Sequence, residues 1–154
     1  MSSLQMQRLL LLEGFVRVTD RAAKRLGRPP EGPEHLEVGR QGEEAAYFYL
    51  RRSGFTVIAR RWRSPKLRGD LDLIAWEGRT LCFIEVKTRT SREVATAEAS
   101  VDDEKMQMLR RVARHYIRSL PAAPEQTRFD ILSIYFVPGK APDLELFRDS
   151  FGWY

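Results

Sequence analysis

The chain has 154 residues, of which 26 are basic and 21 acidic, so its formal net charge is +5. This length fits one domain with a substantial core, and the basic excess favours an anionic partner, nucleic acid first. A single cysteine excludes an intramolecular disulfide and fits a reducing cytoplasm. No apolar run approaches the roughly 20 residues that span a bilayer, so we expect a cytoplasmic protein without membrane association.

The chain divides once, at a segment rich in glycine and proline, residues 27–36. Residues 3–26 can form an amphipathic helix, so residues 1–36 are interpreted as an N-terminal helical extension with its linker. The main domain, residues 37–154, is predicted to contain a helix, three strands, a second helix, a strong strand and a short edge strand. These elements are expected at residues 40–52, 55–62, 71–76, 80–88, 100–120, 128–137 and 143–147. Their order predicts an α/β fold with a mixed sheet flanked by helices.

Acidic residues interrupt the second and third predicted strands, which are otherwise apolar. We expect a two-residue hairpin turn at Glu77 and Gly78 between these strands. Side-chain alternation then places Asp72 and Glu85 as diagonal neighbours on one face, with Lys87 beside Glu85. The opposite face of the hairpin is wholly apolar. The face that carries the acidic residues is itself apolar near the turn. Its charges are therefore concentrated at the end of the hairpin that lies far from the turn.

Two carboxylates that converge in a buried place repel each other, and a divalent cation removes that repulsion. Oxygen ligands favour Mg²⁺ or Mn²⁺, and the backbone carbonyl of Val86 would add a ligand to Asp72 and Glu85. Such an ion activates water and neutralises a phosphate, while Lys87 would hold the attacking water or stabilise the phosphate. The alternative is a structural ion-pair cluster at the end of the sheet.

The spacing D-x12-E-x-K, from Asp72 through Glu85 to Lys87, resembles the core motif of the restriction-endonuclease-like nuclease superfamily. The segments "GRQGEEAA", "RRWRSPKLRGDLDLIA", "FIEVKTRT", "VDDEKMQML" and "RFDIL" occur in the order seen in the YraN-like family of bacterial proteins. That family is related in fold to archaeal Holliday-junction resolvases, and the resemblance covers residues 39–136. It implies a restriction-endonuclease-like mixed sheet flanked by helices, to which the N-terminal helix is an addition.

The resemblance also implies a role for Glu43, which matches a helix acid that joins the metal site in resolvase-like relatives. Glu43 precedes Ala46 and Leu50 by helical spacings, so its side chain is expected on the inward face of the helix. The alternative is that Glu43 only stabilises a helix N-terminus by its charge. The family usually has Glu where this chain has Asp70, so the resemblance gives no metal-facing role to Asp70.

A basic run containing one tryptophan lies directly before the acidic strands, at residues 60–68. Its position beside the acidic strands favours a role at the rim of a binding site, where the basic side chains contact phosphates. The alternative is a run of charged residues that is only exposed to solvent. One basic residue after the third strand and one in the second helix extend this set. The candidate nucleic-acid-binding residues are Arg60, Arg61, Arg63, Lys66, Arg68, Arg89 and Lys105.

Three other residues are candidates for the site or for the core. Arg128 and Asp130 flank the start of the fourth predicted strand and are either a structural pair or part of the site. Cys82 lies on the apolar face of the hairpin and is expected in the core.

The sequence thus predicts an endonuclease that uses Mg²⁺ or Mn²⁺ to hydrolyse phosphodiester bonds in DNA, branched or structured DNA in particular. The predicted catalytic residues are Asp72, Glu85, Lys87 and Glu43. The predicted metal ligands are Asp72, Glu85, Val86 and Glu43. Two alternatives stay open: a non-catalytic nucleic-acid-binding or adaptor protein that keeps the fold, and an enzyme that acts on RNA. The sequence also leaves the oligomeric state open, a homodimer included.

Overall fold

The computed structural model describes residues 34–89, 102–136 and 141–154. Within these ranges the chain forms two helices and five strands, each of the predicted type. They are α1 Glu34–Arg52, β1 Thr56–Arg63, β2 Asp70–Glu77, β3 Thr80–Arg89, α2 Asp103–Arg118, β4 Gln126–Tyr135 and β5 Asp143–Phe151. The predicted N-terminal helix, residues 3–26, lies outside the described residues, and the division of the chain at residue 36 stays a prediction. Neither described helix is long and apolar enough to cross a membrane.

Helix α1 begins at Glu34 rather than at the predicted residue 40. The last residues assigned to the linker are therefore helical. In the sequence Pro33 comes directly before Glu34, and a proline is compatible with a helix start because the first N–H groups of a helix have no intrahelical partner. Glu43 consequently lies in the middle of α1, and the interpretation of its charge as a helix N-terminal contact is wrong.

The five strands form one sheet in the order β1-β2-β3-β4-β5. Neighbouring strands are antiparallel except β3 and β4, which are parallel. Two parallel strands need a long crossover between them, and here the chain passes through α2 from one to the other. This arrangement confirms the predicted mixed sheet with flanking helices.

The sheet separates two apolar clusters, one beneath each helix. Helix α2 contributes Leu109, Val112 and Ala113 to the first cluster, and α1 contributes Ala46 and Leu50 to the second. The strands give the first cluster Leu71, Ile74, Leu81, Phe83, Phe129 and Ile131, and the second Leu73, Ala75, Cys82, Ile84, Leu132 and Ile134. Burial of these side chains on both faces fixes the hairpin of β2 and β3 at the centre of the domain.

The hairpin turn falls at Gly78 and Arg79, one residue later than predicted. Glu77 and Thr80 are the last paired residues of the two strands. Gly78 has a φ of 58°, a left-handed conformation that glycine adopts without steric cost at the first central position of a hairpin turn. Placing Glu77 in the turn was wrong because the glycine has to occupy that position. The shift moves the pairing by an even number of residues, so it does not exchange the two faces of the hairpin.

Strand β1 departs from regular alternation at Arg61, whose φ of 48° is unusual for a residue other than glycine. The register with β2 also shifts between Val57 and Ala59, so that Val57 packs toward α1, whereas Ala59 and Trp62 both pack toward α2. Leu71 is paired with Trp62 and also packs on the α2 side. Alternation had predicted Leu71 on the α1 side together with Leu73, so regular alternation fails where β2 meets the irregular part of β1.

Candidate functional site

The acidic strands bring Asp72 and Glu85 together at the open end of the hairpin. Paired residues of β2 and β3 extend to Leu73 and Ile84, so Asp72 and Glu85 directly follow the last pair, close enough for the charge of Glu85 to act on Asp72. Beyond the last backbone pair, the Asp72 side chain links the two strands, because its Oδ2 accepts a hydrogen bond from the Val86 N–H at 2.9 Å. Asp72 and Glu85 thus meet at the end of the hairpin far from the turn, as the alternation of side chains predicts.

Glu85 is almost fully buried, with 5% of its surface exposed. Its Oε1 atom accepts from the ammonium groups of Lys87 and Lys105, each at 3.0 Å. Its Oε2 atom is buried and has no hydrogen-bond partner among the described residues. Leaving a buried polar atom without a partner costs about 1–3 kcal/mol, and more when the group is charged. One oxygen of Glu85 is therefore doubly bound while the other is orphaned. We call Asp72, Glu85, Lys87 and Lys105 the acid-pair cluster.

Burial is the main cause that raises the pKa of Asp72 to about 7, and the charge of Glu85 adds to it, although the Val86 N–H and Lys105 act in the opposite direction. Burial alone would lower the pKa of Lys105, but the charges of Glu85 and Asp72 outweigh it and raise that pKa above its ordinary value. Burial thus dominates the shift of Asp72, whereas the neighbouring carboxylates dominate the shift of Lys105. Groups with pKa values shifted in this way concentrate at functional sites.

Helix α2 positions Lys105 through its N-cap. Asp102 Oδ1 accepts a hydrogen bond from the Lys105 N–H at 2.7 Å, which fixes the first turn of the helix. From this turn the Lys105 side chain reaches Glu85, and 28% of it is exposed. The sequence predicts Lys105 as a nucleic-acid-binding residue, whereas the structure places its ammonium on the acid pair. The sequence signal for the helix start near Lys105 is a capping aspartate three residues before the lysine.

Asp70, next to the acid pair in sequence, belongs to an ion pair with β1. The Arg63 side chain donates to Asp70 Oδ2 from Nη2 at 3.1 Å and from Nε at 3.3 Å. The two residues are also backbone partners in the β1–β2 register. Asp70 contributes only a minor charge effect at Asp72, which agrees with giving it no role as a ligand.

Glu43 points inward, as its helical spacing predicts, but toward a basic residue. Its Oε2 accepts from Arg61 Nε at 3.1 Å, and 15% of its side chain is exposed. In residues 34–89, 102–136 and 141–154, no group of three or more Asp, Glu, His or Cys side chains is arranged to hold a metal ion. The structure therefore does not gather Glu43 with Asp72 and Glu85. Val86 contributes its N–H to Asp72, and the role of its carbonyl oxygen as a ligand stays a prediction.

Three of the basic residues in β1 and the following loop make contacts inside the domain. Arg61 and Arg63 bind acids, and the guanidinium of Arg60 lies 5.1 Å from the centre of a tyrosine ring of α1. Lys66 and Arg68 are exposed, and neither forms an ion pair with a described side chain. These two residues are therefore the members of the run whose charge is directed to solvent.

Two arginines of α2 hold the last residues of the chain. Arg110 donates to the main-chain oxygens of Gly152 at 2.8 Å and Tyr154 at 2.6 Å. Arg114 donates to the main-chain oxygen of Trp153 at 2.8 Å. Much of the positive charge of α2 thus serves packing.

A second charged cluster lies at the turn end of the hairpin. Asp130 is fully buried and accepts from Arg128 Nε at 2.9 Å and from the Asp149 N–H at 3.0 Å. Glu77 accepts from Arg128 and, at 2.9 Å, from Arg148. We call Glu77, Arg128, Asp130 and Arg148 the turn cluster. Arg128 and Asp130 are a structural pair, the first of the two interpretations.

Two further residues adjoin the acid-pair cluster in the sheet. Ser133 of β4 is fully buried and is paired with Lys87 of β3. Its hydroxyl has no hydrogen-bond partner among the described residues. The sequence gives no signal for it because Ser133 stands alone within the otherwise apolar residues 131–135 of β4. Arg89 ends β3, and its side chain lies outside the described part of the chain.

The fold and the site define a mixed α/β domain whose central hairpin carries a buried acid pair held by two lysines. The model of the Uncharacterised protein family UPF0102 matches residues 42–134, a range that contains the whole acid-pair cluster. The chain belongs to this UPF0102 family, and the resemblance to the YraN-like family is thereby confirmed.

Relatives from several bacteria share most of the chain. A UPF0102 protein of Koribacter versatilis is 53% identical over 79% of this chain and 84% of its own length. A UPF0102 protein of Solibacter usitatus is 41% identical over 85% of this chain and 96% of its own length. A third, from Desulfosudis oleivorans, is 34% identical over 77% of this chain and 92% of its own length.

Proposed function

We propose that this protein is a phosphodiesterase of restriction-endonuclease-like fold that uses Mg²⁺ or Mn²⁺ to cleave nucleic acid, DNA first. The observation that carries the proposal is the buried pair of Asp72 and Glu85 with its orphaned Glu85 Oε2 atom. In a purely structural ion-pair cluster, both oxygens of a buried carboxylate are expected to have hydrogen-bond partners. The motif D-x12-E-x-K, which the two acids share with Lys87, supports the same reading.

The residues fit a hard divalent cation. The carboxylates of Asp72 and Glu85 would hold it, and Mg²⁺ usually takes only one or two protein carboxylates and keeps several waters. When bound, such an ion neutralises charge on a phosphate and activates water. Lys87, 3.0 Å from Glu85, would add positive charge beside the phosphate. Glu43 would become a further ligand only after leaving Arg61.

The charge distribution supports a polyanionic substrate. The domain is basic overall, and exposed Lys66 and Arg68 lie in the loop that leads into the first acidic strand. Exposed basic residues of this kind contact phosphates without reading base sequence. The preference for branched or structured DNA derives from the resemblance to junction resolvases.

One observation favours the second candidate, a non-catalytic nucleic-acid-binding or adaptor protein. Lys87 and Lys105 already give the acid pair two positive charges. Their contacts provide a counter-charge without any metal. The two candidates differ in one property, since only the enzyme requires a divalent ion at Asp72 and Glu85.

The decisive experiment combines metal binding with cleavage. Mn²⁺ binding is measured by calorimetry, and cleavage is measured on linear, flapped and four-way DNA and on matched RNA. Asp72→Ala and Glu85→Ala are expected to lose both activities because each removes a ligand, while Lys87→Met keeps metal binding and loses most of the rate. Glu145→Ala, which removes an exposed acid of β5, is the matched control. A wild-type protein that neither binds Mn²⁺ nor cuts any substrate would overturn the enzyme and favour the adaptor protein.

A second experiment tests the nucleic-acid surface. Lys66→Ala combined with Arg68→Ala is compared with Arg111→Ala combined with Arg118→Ala, which removes two exposed charges from α2. The first pair is expected to weaken binding to all sequences alike. It should also reduce the slope of log K against log salt by up to about 2, because two fewer counterions are released. A wild-type slope for the Lys66→Ala, Arg68→Ala variant would place the binding surface elsewhere.

A further inference from the structure

Lys105 reaches the acid pair from a different element than the other three members of the cluster. Lys87 and Glu85 are next-but-one neighbours on β3, so their contact follows from the strand itself. Lys105 comes from the first turn of α2, on the side of the sheet where that helix packs. Both ammonium groups lie 3.0 Å from the same Glu85 oxygen. The second ammonium is thus an addition that the strand geometry does not require.

The charges of the cluster are already balanced by these lysines. Asp72 and Glu85 carry at most two negative charges, and Lys87 and Lys105 carry two positive ones. A divalent cation would leave the cluster with a net positive charge of at least two, and charges at such short distances repel strongly in a partly dehydrated place. The ion can therefore bind tightly only if a positive group leaves or a negative group arrives.

We propose that the Lys105 ammonium and a divalent cation compete for the Glu85 carboxylate, and that the displaced Lys105 contacts a backbone phosphate of the nucleic acid that arrives with the ion. The phosphate restores the charge balance, so the ion and the nucleic acid raise each other's affinity by the same factor. We assign the displacement to Lys105 because its contact with Glu85 joins α2 to β3, whereas Lys87 stays beside Glu85 on the same strand. This inference rests on the proposed function and assigns Lys105 a contact with the substrate in it.

The test is a calorimetric Mn²⁺ titration of three proteins: wild type, Lys105→Met and Arg111→Met. The last is the matched control, since Arg111 is an exposed cation of the same helix. Each titration is done alone and with an unmodified DNA duplex, whose integrity is checked by electrophoresis after the titration. Lys105→Met is expected to bind Mn²⁺ about tenfold more tightly than wild type without DNA, and to gain little from DNA. Wild type and Arg111→Met should bind weakly alone and about tenfold more tightly with DNA.

The outcomes separate this inference from the proposed function. Equal or weaker Mn²⁺ binding by Lys105→Met, with ordinary binding by wild type, overturns the competition and leaves the metal site standing. No Mn²⁺ binding by any of the three proteins, with or without DNA, overturns both. Lys105→Gln replaces Lys105→Met if the latter does not fold. The wild-type data alone also decide, since an affinity for Mn²⁺ that DNA does not change overturns the inference.

Discussion

The two ends of the β2–β3 hairpin each carry two acidic and two basic side chains, but only one of these clusters is complete. In the turn cluster, the Nε atom of Arg128 donates to both oxygens of Asp130, at 2.9 and 3.1 Å, while its Nη2 atom binds Glu77. In the acid-pair cluster, both ammonium groups bind one oxygen of Glu85, and the other oxygen has no hydrogen-bond partner in the described part of the chain. Equal numbers of charges therefore produce a closed network at one end and an open one at the other.

The difference follows from the chemistry of the two basic side chains. A guanidinium presents several donors in a fixed plane, so one arginine can bridge two carboxylates. An ammonium is a compact charge on a flexible stem, which can be moved or replaced. Arginine at the turn end thus fits a structural role, and lysine at the open end fits a site where another cation or a phosphate takes part.

The largest expected effect is on the closed network. Asp130→Ala should lower the free energy of unfolding by about 3–5 kcal/mol, because it leaves Arg128 half-buried without its main partner. Urea denaturation at pH 7 measures this loss. Glu145→Ala, on exposed surface of β5, should change it by less than about 0.5 kcal/mol. A similarly small change for Asp130→Ala would remove the distinction between the two clusters.

The open cluster should respond in the opposite direction. Asp72→Asn is expected to stabilise the protein at pH 8 by about 1–3 kcal/mol, since it removes a charge that burial and Glu85 disfavour and keeps an acceptor for Val86. The folded-state pKa of Asp72, about 7, exceeds its unfolded value near 4. Between these two pH values the folded protein holds the extra proton, so wild-type stability falls as pH rises from about 4 to about 7.

Denaturation at pH 5 and pH 8 tests this sign. The advantage of Asp72→Asn over wild type should be present at pH 8 and smaller at pH 5. An advantage that is equal at the two pH values would show that Asp72 is not the group that titrates.

The smallest expected effect concerns the outer member of the turn cluster. Arg148→Ala should lower stability by about 0.2–1 kcal/mol, because half of the Arg148 side chain is exposed and Glu77 keeps its contact with Arg128. Thermal denaturation beside Asp130→Ala measures it. A loss above about 2 kcal/mol would mean that the turn cluster acts as one unit rather than as a buried pair with an outer contact.

The sequence predicts local features of this molecule well. Each described element is of the predicted type, because the apolar periodicities of helix and strand are properties of neighbouring residues. The meeting of Asp72 with Glu85 and Lys87 follows from strand alternation and survives the shift of the turn to Gly78 and Arg79, since that shift preserves the faces.

Contacts between elements could not be predicted in the same way. Arg61 and Arg63 count as free basic residues in the sequence, yet each binds an acid in the fold. Lys105 is predicted as a phosphate contact and instead binds Glu85 from another element. The positive charge of a long side chain is visible in the sequence, but its partner is set by the packing of α1 on β1 and of α2 on the sheet.

The parallel pairing of β3 with β4 has a consequence for the order in which the chain folds. The hairpin closes across a two-residue turn, so its acids meet through a local contact, whereas the first pair of β3 and β4 joins Thr80 to Gln126. Closing the longer loop has a larger entropic cost, and distant contacts of this kind form slowly. The carboxylates of the hairpin therefore approach each other before α2 delivers Lys105. The refolding rate, as well as the equilibrium stability, should therefore decrease as the pH rises through the pKa of Asp72.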